Sequence, residues 1–334
     1  MTVASLGDLA HSFVMRRQTT QLKNEVVTIV QELASGQSSD LANQVRGDLN
    51  PLTSIEHDLS RLEAFNSSTT ESALFATTLQ STLGVVQDVT QELAAAFVTT
   101  GSSRNGALLE TAGTNAYETF KTAIAALNAS VGGRSLLSGA ATDTSPMASA
   151  DDILDALEIA VASATTPNGV IAAAGAWFSA TGDYDTIAYQ GSATPLAPIP
   201  IGDGREANFS ITALDDRIKE TLKPLAMAAL VDRGTLTLDV QEQLELIGEA
   251  GLELSAAQSG LSALRGDVGA IEATIEDARQ SNETEIFGLE FARAEITEID
   301  PYERATQLES AQSQLEALYA ITARLSRLSL SDYL

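Results

Sequence analysis

The chain has 334 residues, enough for two or three domains and a sizeable hydrophobic core. Asp and Glu number 45 against 19 Lys and Arg, and phosphate backbones or anionic membranes would repel the resulting net charge of −26. We therefore expect no nucleic acid and no membrane among its partners. Cysteine is absent from the sequence, which excludes disulfides and thiolate metal sites.

The N-terminal residues contain no continuous apolar segment and no cleavage-site pattern, so we expect no conventional signal peptide. The longest weakly polar run, residues 169–180, is shorter than the ~20 residues that a membrane-spanning helix needs. We expect a soluble protein, and any export must use a route that leaves the N terminus intact.

The first predicted helix covers residues 13–34. Apolar residues recur on one side of it at helical spacing, and charged residues lie on the opposite side. Ser35-Gly36 ends this helix, and the segment up to Asn50-Pro51 is predicted to be loop. The apolar residues that we assign to an assembly interface are Met15, Leu22, Val26, Ile29 and Leu33.

Residues 52–99 have the longest uninterrupted helical pattern in the first half of the chain. A helix of this span would be ~70 Å long, which indicates a rod. Residues 101–106 interrupt the pattern, and a shorter helix is predicted for residues 108–131. The seven-residue rows of the long helix comprise Ile55, Leu62, Ala76, Leu83 and Phe97, with Leu79, Val86 and Leu93 beside them.

The middle of the chain has a different composition, and Gly132-Gly133 marks its beginning. Residues 137–211 are rich in Gly, Ser, Thr, Asp and Pro, with only short apolar runs. Residues 151–164 are predicted to form a helix and residues 187–189 a strand, and the alternation around residues 202–204 predicts a β-hairpin. Together these features predict a small α+β insertion.

The seven-residue repeat returns over residues 236–278, and helical character continues to residue 299. Asp300, Pro301 and Glu303 then predict a new helix start. Asp is a good N-cap, Pro is tolerated at the first helical position, and Glu at the third can complete a capping box. The row of the long helix comprises Ile247, Leu254, Leu261, Val268 and Ile275.

The C-terminal helix, residues 301–334, carries a broad apolar stripe without a Gly or Pro stop. An isolated helix cannot cover such a stripe and needs another helix against it. Long helices at both ends of the chain predict that the two terminal stripes lie side by side. The residues of this helix that we assign to the assembly interface are Leu308, Leu315, Leu318, Ile321, Leu325 and Leu328.

These patterns predict a mainly α fold, a long antiparallel coiled-coil rod formed by the N- and C-terminal regions with a small α+β insertion domain in the middle. Residues 1–40 and 295–334 are predicted to form a terminal coiled-coil core domain. Residues 41–136 and 215–294 are predicted to form a helical rod domain, and residues 137–214 an outward-facing insertion domain.

The sequence offers little for chemistry. His11 and His57 are the only histidines, and neither has the spacing of a metal site. Asp183 and Asp185 could bind a cation weakly, but a turn with solvated carboxylates is the simpler interpretation because the full calcium-loop pattern is missing. We expect no catalytic, cofactor-binding or metal site, and therefore no enzyme.

The repeats have two interpretations, an intramolecular core or an intermolecular seam. For residues 52–99 and 244–278 we prefer the intramolecular core. The terminal helices are different, because a pair of ~20–35-residue amphipathic helices buries little surface and is marginal alone. We therefore expect the terminal stripes to pack against neighbouring copies and related subunits.

The run Ala317–Leu334, which ends in Leu-Ser-Leu-Ser-Asp-Tyr-Leu, resembles the C terminus of the flagellin superfamily. It is more similar to hook–filament junction proteins (flagellar hook-associated protein 3) than to flagellin itself. Glu32–Gly36 and Gly133–Gly139 are similar to further family motifs, and Tyr189–Gly191 followed by Ile201–Gly204 is similar to the β-containing outer domain of junction proteins.

Two segments depart from this family. Ser39–Gln44 replaces the Asp-Asp-Pro/Ala-Ala-Gly segment that usually follows the first helix, and Pro301 interrupts what is often one continuous C-terminal helix. The first departure affects the expected loop conformation, and the second affects the straightness of the terminal coiled coil.

The resemblance implies an extracellular structural protein of the bacterial flagellum, exported unfolded by the flagellar type III apparatus with the help of a chaperone. Its partners would be further copies of itself, flagellin and other hook-associated proteins. The terminal helices would line the inner core and the insertion would face outward. A minor flagellin is the alternative within the family, and a secreted helical adhesin or effector is the alternative from a different class.

Overall fold

The computed structural model describes the backbone of residues 6–103 and 105–331, and the side chains of residues 10–103 and 105–324. Helices dominate this part of the chain, in agreement with the predicted mainly α class. The helices are α1 (Leu6–Ser35), α2 (Leu41–Gln44), α3 (Asn50–Ser103), α4 (Leu109–Leu127), α5 (Ala150–Val161), α6 (Pro167–Trp177), α7 (Asp216–Arg233), α8 (Val240–Thr297) and α9 (Pro301–Ser331).

The described strands form two small antiparallel hairpins, β1 (Ser130–Val131) with β2 (Arg134–Ser135) and β3 (Ile199–Gly202) with β4 (Arg205–Ala207). Gly132 and Gly133 form the turn of the first hairpin with φ angles of 58° and 77°, a backbone region that favours glycine. The second hairpin confirms the one predicted around residues 202–204.

The chain divides into two compact units. We call Glu63–Glu283 the central unit, and the described residues up to Leu62 together with those from Thr284 onward the terminal unit. Helices α3 and α8 each continue from one unit into the other. The three-domain division given above stays a prediction.

In the central unit α3 and α8 run antiparallel. Gln80 Nε2 donates to the carbonyl of Arg265 at 3.3 Å, and Gln258 Nε2 donates to Thr90 Oγ1 at 2.9 Å. Residue numbers therefore decrease along α8 in the direction in which they increase along α3. The predicted rows of both helices are buried between residues 75 and 278 and belong to one core. This confirms the intramolecular interpretation of these rows within the central unit.

Helices α4 and α7 complete the helical core of the central unit. Thr114 Oγ1 donates to Asp232 Oδ1 at 2.6 Å, and a Cβ added to Gly113 would lie 2.9 Å from the amide nitrogen of Asp232. Helix α7 has apolar residues on every side and contains Pro224. Its helix was absent from the sequence-based expectations, because a segment buried all round has no amphipathic stripe.

The insertion shares this core and is not a separate layer. The Phe75 ring of α3 lies edge-on to the Phe209 ring at 4.7 Å, and Asn282 Nδ2 of α8 donates to the carbonyl of Ile201 in β3 at 2.8 Å. These contacts attach the second hairpin to both long helices of the central unit.

Several predicted boundaries differ from the structure. Helix α4 ends at Leu127, not at residue 131, because the Asn128 side chain binds the backbone of Met147 and turns the chain into β1: its Nδ2 donates to the carbonyl and its Oδ1 accepts the amide. Residues 184–188 form a π-helical turn, and Tyr189 alone makes a β-bridge, to Met147. The predicted loop after α1 contains the short helix α2.

Candidate assembly interface

The terminal helices α1 and α9 pair with each other in the terminal unit, as the sequence predicted. They are antiparallel, because Arg304 near the start of α9 reaches Glu32 near the end of α1, while Tyr319 lies beside Lys23. The Lys23 ammonium is 5.8 Å from the centroid of the Tyr319 ring, within the range of a cation–π contact.

Both helix ends at this junction are capped by local geometry. Asp300 Oδ1 accepts the amide of Tyr302 at 2.8 Å, which confirms the predicted N-cap of α9. The Glu303 carboxylate accepts from Gln307 Nε2 at 3.1 Å. Helix α1 ends at Ser35, and Gly36 follows with a φ of 75°, its amide donating to the carbonyl of Glu32.

A short backbone ladder holds the end of α1 beside the α8–α9 junction. The amide of Ser38 donates to the carbonyl of Thr297 at 2.9 Å, and the amide of Ile299 donates to the carbonyl of Gly36 at 3.1 Å. Gln44 Nε2 of α2 donates to the carbonyl of Glu298 at 2.8 Å. The segment that follows α1 and the break before Pro301 therefore hold each other in place through these three hydrogen bonds.

Glu32 is the buried polar centre of this junction, with an exposed fraction of 3%. Its Oε1 accepts from the amide of Ser39 at 2.9 Å and from the Ser39 hydroxyl at 2.7 Å, and its Oε2 lies 3.3 Å from Arg304 Nε. Burial by itself raises the pKa of this carboxyl, but the two Ser39 bonds and the charge of Arg304 together lower the pKa below its usual 4.5. The carboxylate is therefore ionised at neutral pH and fixes the end of α1 to α9.

The apolar stripes of α1 and α9 are only partly covered by this pairing. Of the residues assigned to the interface, Ile29 is the one that is fully buried, at 3% exposed, and Ile321 is 44% exposed. The side chains of Leu325 and Leu328 lie outside the described residues. The remaining seven residues are half-buried: Met15, Leu22, Val26, Leu33, Leu308, Leu315 and Leu318.

The terminal unit also exposes apolar residues that the sequence analysis did not assign to an interface. Phe13 and Val27 of α1 are 68% and 55% exposed, and both lie away from the α9-facing stripe. Phe287 and Phe291, one helical turn apart on α8, are 73% and 68% exposed. Their four-residue spacing on one helix face was the available signal.

The residues considered for chemistry have structural roles. Lys219 Nζ, in a side chain that is almost fully buried, donates to Asp185 Oδ1 at 2.5 Å. Asp185 is therefore an ion-pair partner, and the expectation of a solvated carboxylate at this position was wrong. His11 and His57 are exposed. Within the described residues, no group of three or more His, Asp or Glu side chains could hold a metal ion.

Comparison with known proteins identifies one end of the chain. Residues 253–334 match the bacterial flagellin C-terminal helical region. This flagellin-type region contains about the last three quarters of α8 and all of α9, so it includes one partner of the terminal helix pair. No curated protein sequence matches the chain. Among the described helices, none has the length and hydropathy that a bilayer-spanning segment requires.

Two solved structures align with 71% of this chain each. The crystal structure of Bacillus cereus FlgL aligns with a TM-score of 0.51 and 15% identity, covering 71% of this chain and 97% of that protein. A putative flagellar hook-associated protein from Vibrio parahaemolyticus aligns with a TM-score of 0.40 and 13% identity, covering 71% and 95%. The first similarity establishes that the fold is shared with the FlgL structure, and the flagellin-type region supports a flagellin-like protein.

Proposed function

We propose that this protein is an extracellular structural subunit of the bacterial flagellum, a junction adaptor that joins hook-associated proteins to the flagellin filament. The observation that carries the proposal is the half-covered apolar pair of α1 and α9, one member of which lies in a flagellin-type region. A surface of this kind is completed when further helices pack against it. Its partners would be other copies, flagellin and hook-associated proteins, and a chaperone would cover it before export.

The charge distribution supports packing through these two helices. Helix α1 contains three acidic and three basic residues, and so does α9, so the net charge of −26 lies entirely outside the pair. Copies that met through strongly acidic surfaces would repel one another, whereas neutral helices can approach closely. The acidic remainder of the chain would then face solvent and keep the assembled structure soluble.

The junction role is tested in the source bacterium by deleting the gene. We expect hooks on the cell and flagellin shed into the medium, because the filament would have no adaptor to hold it. Filaments of normal length and number on the deletion strain would overturn the junction role.

The interface itself is tested by Leu318→Asp, which places a charge on the half-buried stripe of α9 and should cost several kcal/mol in the assembled state. We expect the exported protein to remain folded in the central unit, as reported by the fluorescence of Trp177, but to be lost from flagella. Ser313→Asp, on the exposed side of the same helix, is the control and should assemble normally. Normal assembly of Leu318→Asp would show that the stripe is not the seam.

A minor flagellin is the second candidate, because the matched region is named for flagellin. The two roles differ in where the protein lies. Antibody labelling of intact flagella should mark a single short zone next to the hook for a junction adaptor. Labelling along the length of the filament would favour the minor flagellin.

A further inference from the structure

An acidic groove lies at the junction of α1, α2 and α9 in the terminal unit. Its volume is about 570 Å³, and it opens between the end of α1 and the first turn of α9. Arg304 is the only basic residue in its lining. Six carboxylates line it, from Glu25, Glu32, Asp40, Glu298, Asp300 and Glu303.

These carboxylates differ in whether they already accept hydrogen bonds within the terminal unit. Glu32, Asp40, Asp300 and Glu303 accept hydrogen bonds from neighbouring amides or side chains. Within the described residues, the side chains of Glu25 and Glu298 accept none. In addition, Oε2 of the buried Glu32 accepts no hydrogen bond and has only the Arg304 guanidinium near it. The groove therefore has unused acceptor capacity that a cationic group could satisfy.

Arg16 and Arg17 on α1 have the complementary property. Both are exposed, and neither forms an ion pair with any acidic side chain in the part of the chain that the structure describes. A planar guanidinium is also the side chain that best satisfies carboxylates in pairs.

The arginines cannot reach the groove of their own chain. Arg16 and Glu25 are nine residues apart on one continuous helix, a separation of ~13 Å at 1.5 Å per residue, and Glu32 is ~24 Å from Arg16 along the axis. Only another molecule can therefore bring such a pair into the groove.

We propose that the acidic groove of one copy binds Arg16 and Arg17 of a second copy, with Glu25 and Glu298 as the principal acceptors. The inference rests on the proposed function, because it describes how copies pack in the assembled flagellum. It also fixes a geometric quantity: neighbouring copies are displaced along α1 by ~13–24 Å. The apolar stripes supply the area, and the arginines select the axial position of the contact.

Charge reversal in both partners tests this contact in the source bacterium. The double variant Arg16→Glu/Arg17→Glu should be exported but incorporated into flagella at least tenfold less than wild type, measured as the ratio of flagellar to secreted protein. Glu25→Lys/Glu298→Lys should show the same loss. The quadruple variant that combines both pairs of substitutions should regain at least half of wild-type incorporation, because each ion pair is restored with reversed sign.

The control is Lys121→Glu/Arg134→Glu, which changes the net charge equally at two exposed basic residues of the central unit and should incorporate normally. Circular dichroism of each purified variant confirms that the helices are retained. The contact is overturned, and the proposed function left intact, if Arg16→Glu/Arg17→Glu incorporates normally. The same holds if the quadruple variant is folded but does not regain incorporation. Absence of the wild-type chain from flagella overturns both.

Cross-linking provides a second test that does not alter the charges. Because the sequence contains no cysteine, Gln18→Cys and Thr28→Cys place unique thiols beside the arginines and in the groove, respectively. Cells that express both variants, treated with a short bis-maleimide, should yield a heterodimer from assembled flagella. A cross-link from residue 18 to a different flagellar protein, or no cross-link in assembled flagella, overturns the proposal.

Discussion

The long helices of the central unit and the terminal helices of the terminal unit share the same seven-residue apolar spacing but bury it to different extents. Leu254 and Leu261 of α8 are completely buried, whereas Leu315 and Leu318 of α9 remain half-exposed. The difference lies in the number of neighbours. In the central unit α3, α4, α7 and α8 share one core, while α1 and α9 rely mainly on each other.

The comparison shows that an apolar repeat specifies a helix face that must be covered, but not how completely one chain covers it. Four helices enclose one another's apolar side chains, and the enclosed side chains lose their water contact. Two helices of about 30 residues leave the flanks of their stripes exposed. The central unit is therefore expected to be stable alone, and the terminal unit to gain most from assembly.

The largest contrast should come from truncating equivalent leucines. Leu261→Ala in the central unit removes a fully buried side chain and should cost about 3 kcal/mol, whereas Leu315→Ala in the terminal unit should cost about 1 kcal/mol in the free protein. Urea unfolding followed by fluorescence isolates the central unit, because Trp177 is the only tryptophan and lies there. Circular dichroism follows both units. Equal costs would contradict the difference in burial.

The closeness of α3 and α8 can be broken with one methyl group. A Cβ added at Gly101 would lie 2.5 Å from the Cα of Gly248, so Gly101→Ala must move one helix backbone. We expect a loss of about 2 kcal/mol in the Trp177 transition. Gly266→Ala in α8 is the control, because nothing lies within 4 Å of its added Cβ, and it should stabilise by about 0.5–1 kcal/mol.

The two units should unfold at different pH values on acidification. The pKa of Glu32 is lowered in the folded state, so its carboxylate stabilises the terminal unit above pH ~4.5, and this contribution is lost as pH falls below that value. In the central unit the pKa of Asp215 is also lowered. Burial alone would raise this pKa, but the bonds to Arg217 outweigh burial. The usual pKa of an Asp carboxyl is 3.8, below the 4.5 of Glu, so the contribution of Asp215 is lost at a lower pH. Helix loss by circular dichroism should therefore begin at a higher pH than the Trp177 transition.

Glu32→Gln sharpens this test. At neutral pH the variant should destabilise the terminal unit by about 1–2 kcal/mol, because it weakens two hydrogen bonds and removes an ion pair. The difference from wild type should stay constant down to pH ~4.5 and shrink over the interval below it, where the native carboxylate, whose pKa is lowered, becomes protonated. A difference that stays constant over this interval would mean that Glu32 does not carry the acid sensitivity.

The smallest effect is expected for Gly288→Ala in the terminal part of α8. Nothing lies within 4 Å of the added Cβ, so the substitution should only raise helix propensity, by about 0.5–1 kcal/mol. Circular dichroism should show the terminal transition at higher urea concentration while the Trp177 transition is unchanged. A shift of both transitions together would show that the two units unfold as one.

The amino-acid sequence by itself determined the helical class, the long helices and the second hairpin. It also determined the break at Pro301, because helix periodicity, capping residues and turn residues act over a few positions and need no distant partner. It identified the apolar stripes of α1 and α9 for the same reason. The flagellin-like C terminus was likewise visible in its last residues.

Only the tertiary structure decided what depends on neighbours distant in sequence. Helix α7 was not predicted, because burial on all sides removes the amphipathic pattern. Asp185, which the sequence predicted to be solvated, is the ion-pair partner of Lys219, 34 residues away. The sequence predicted which stripes form an intramolecular core, but how far α1 and α9 cover each other was decided only by the tertiary structure. Apolar spacing is a local property of a helix, whereas burial depends on how many other helices surround it.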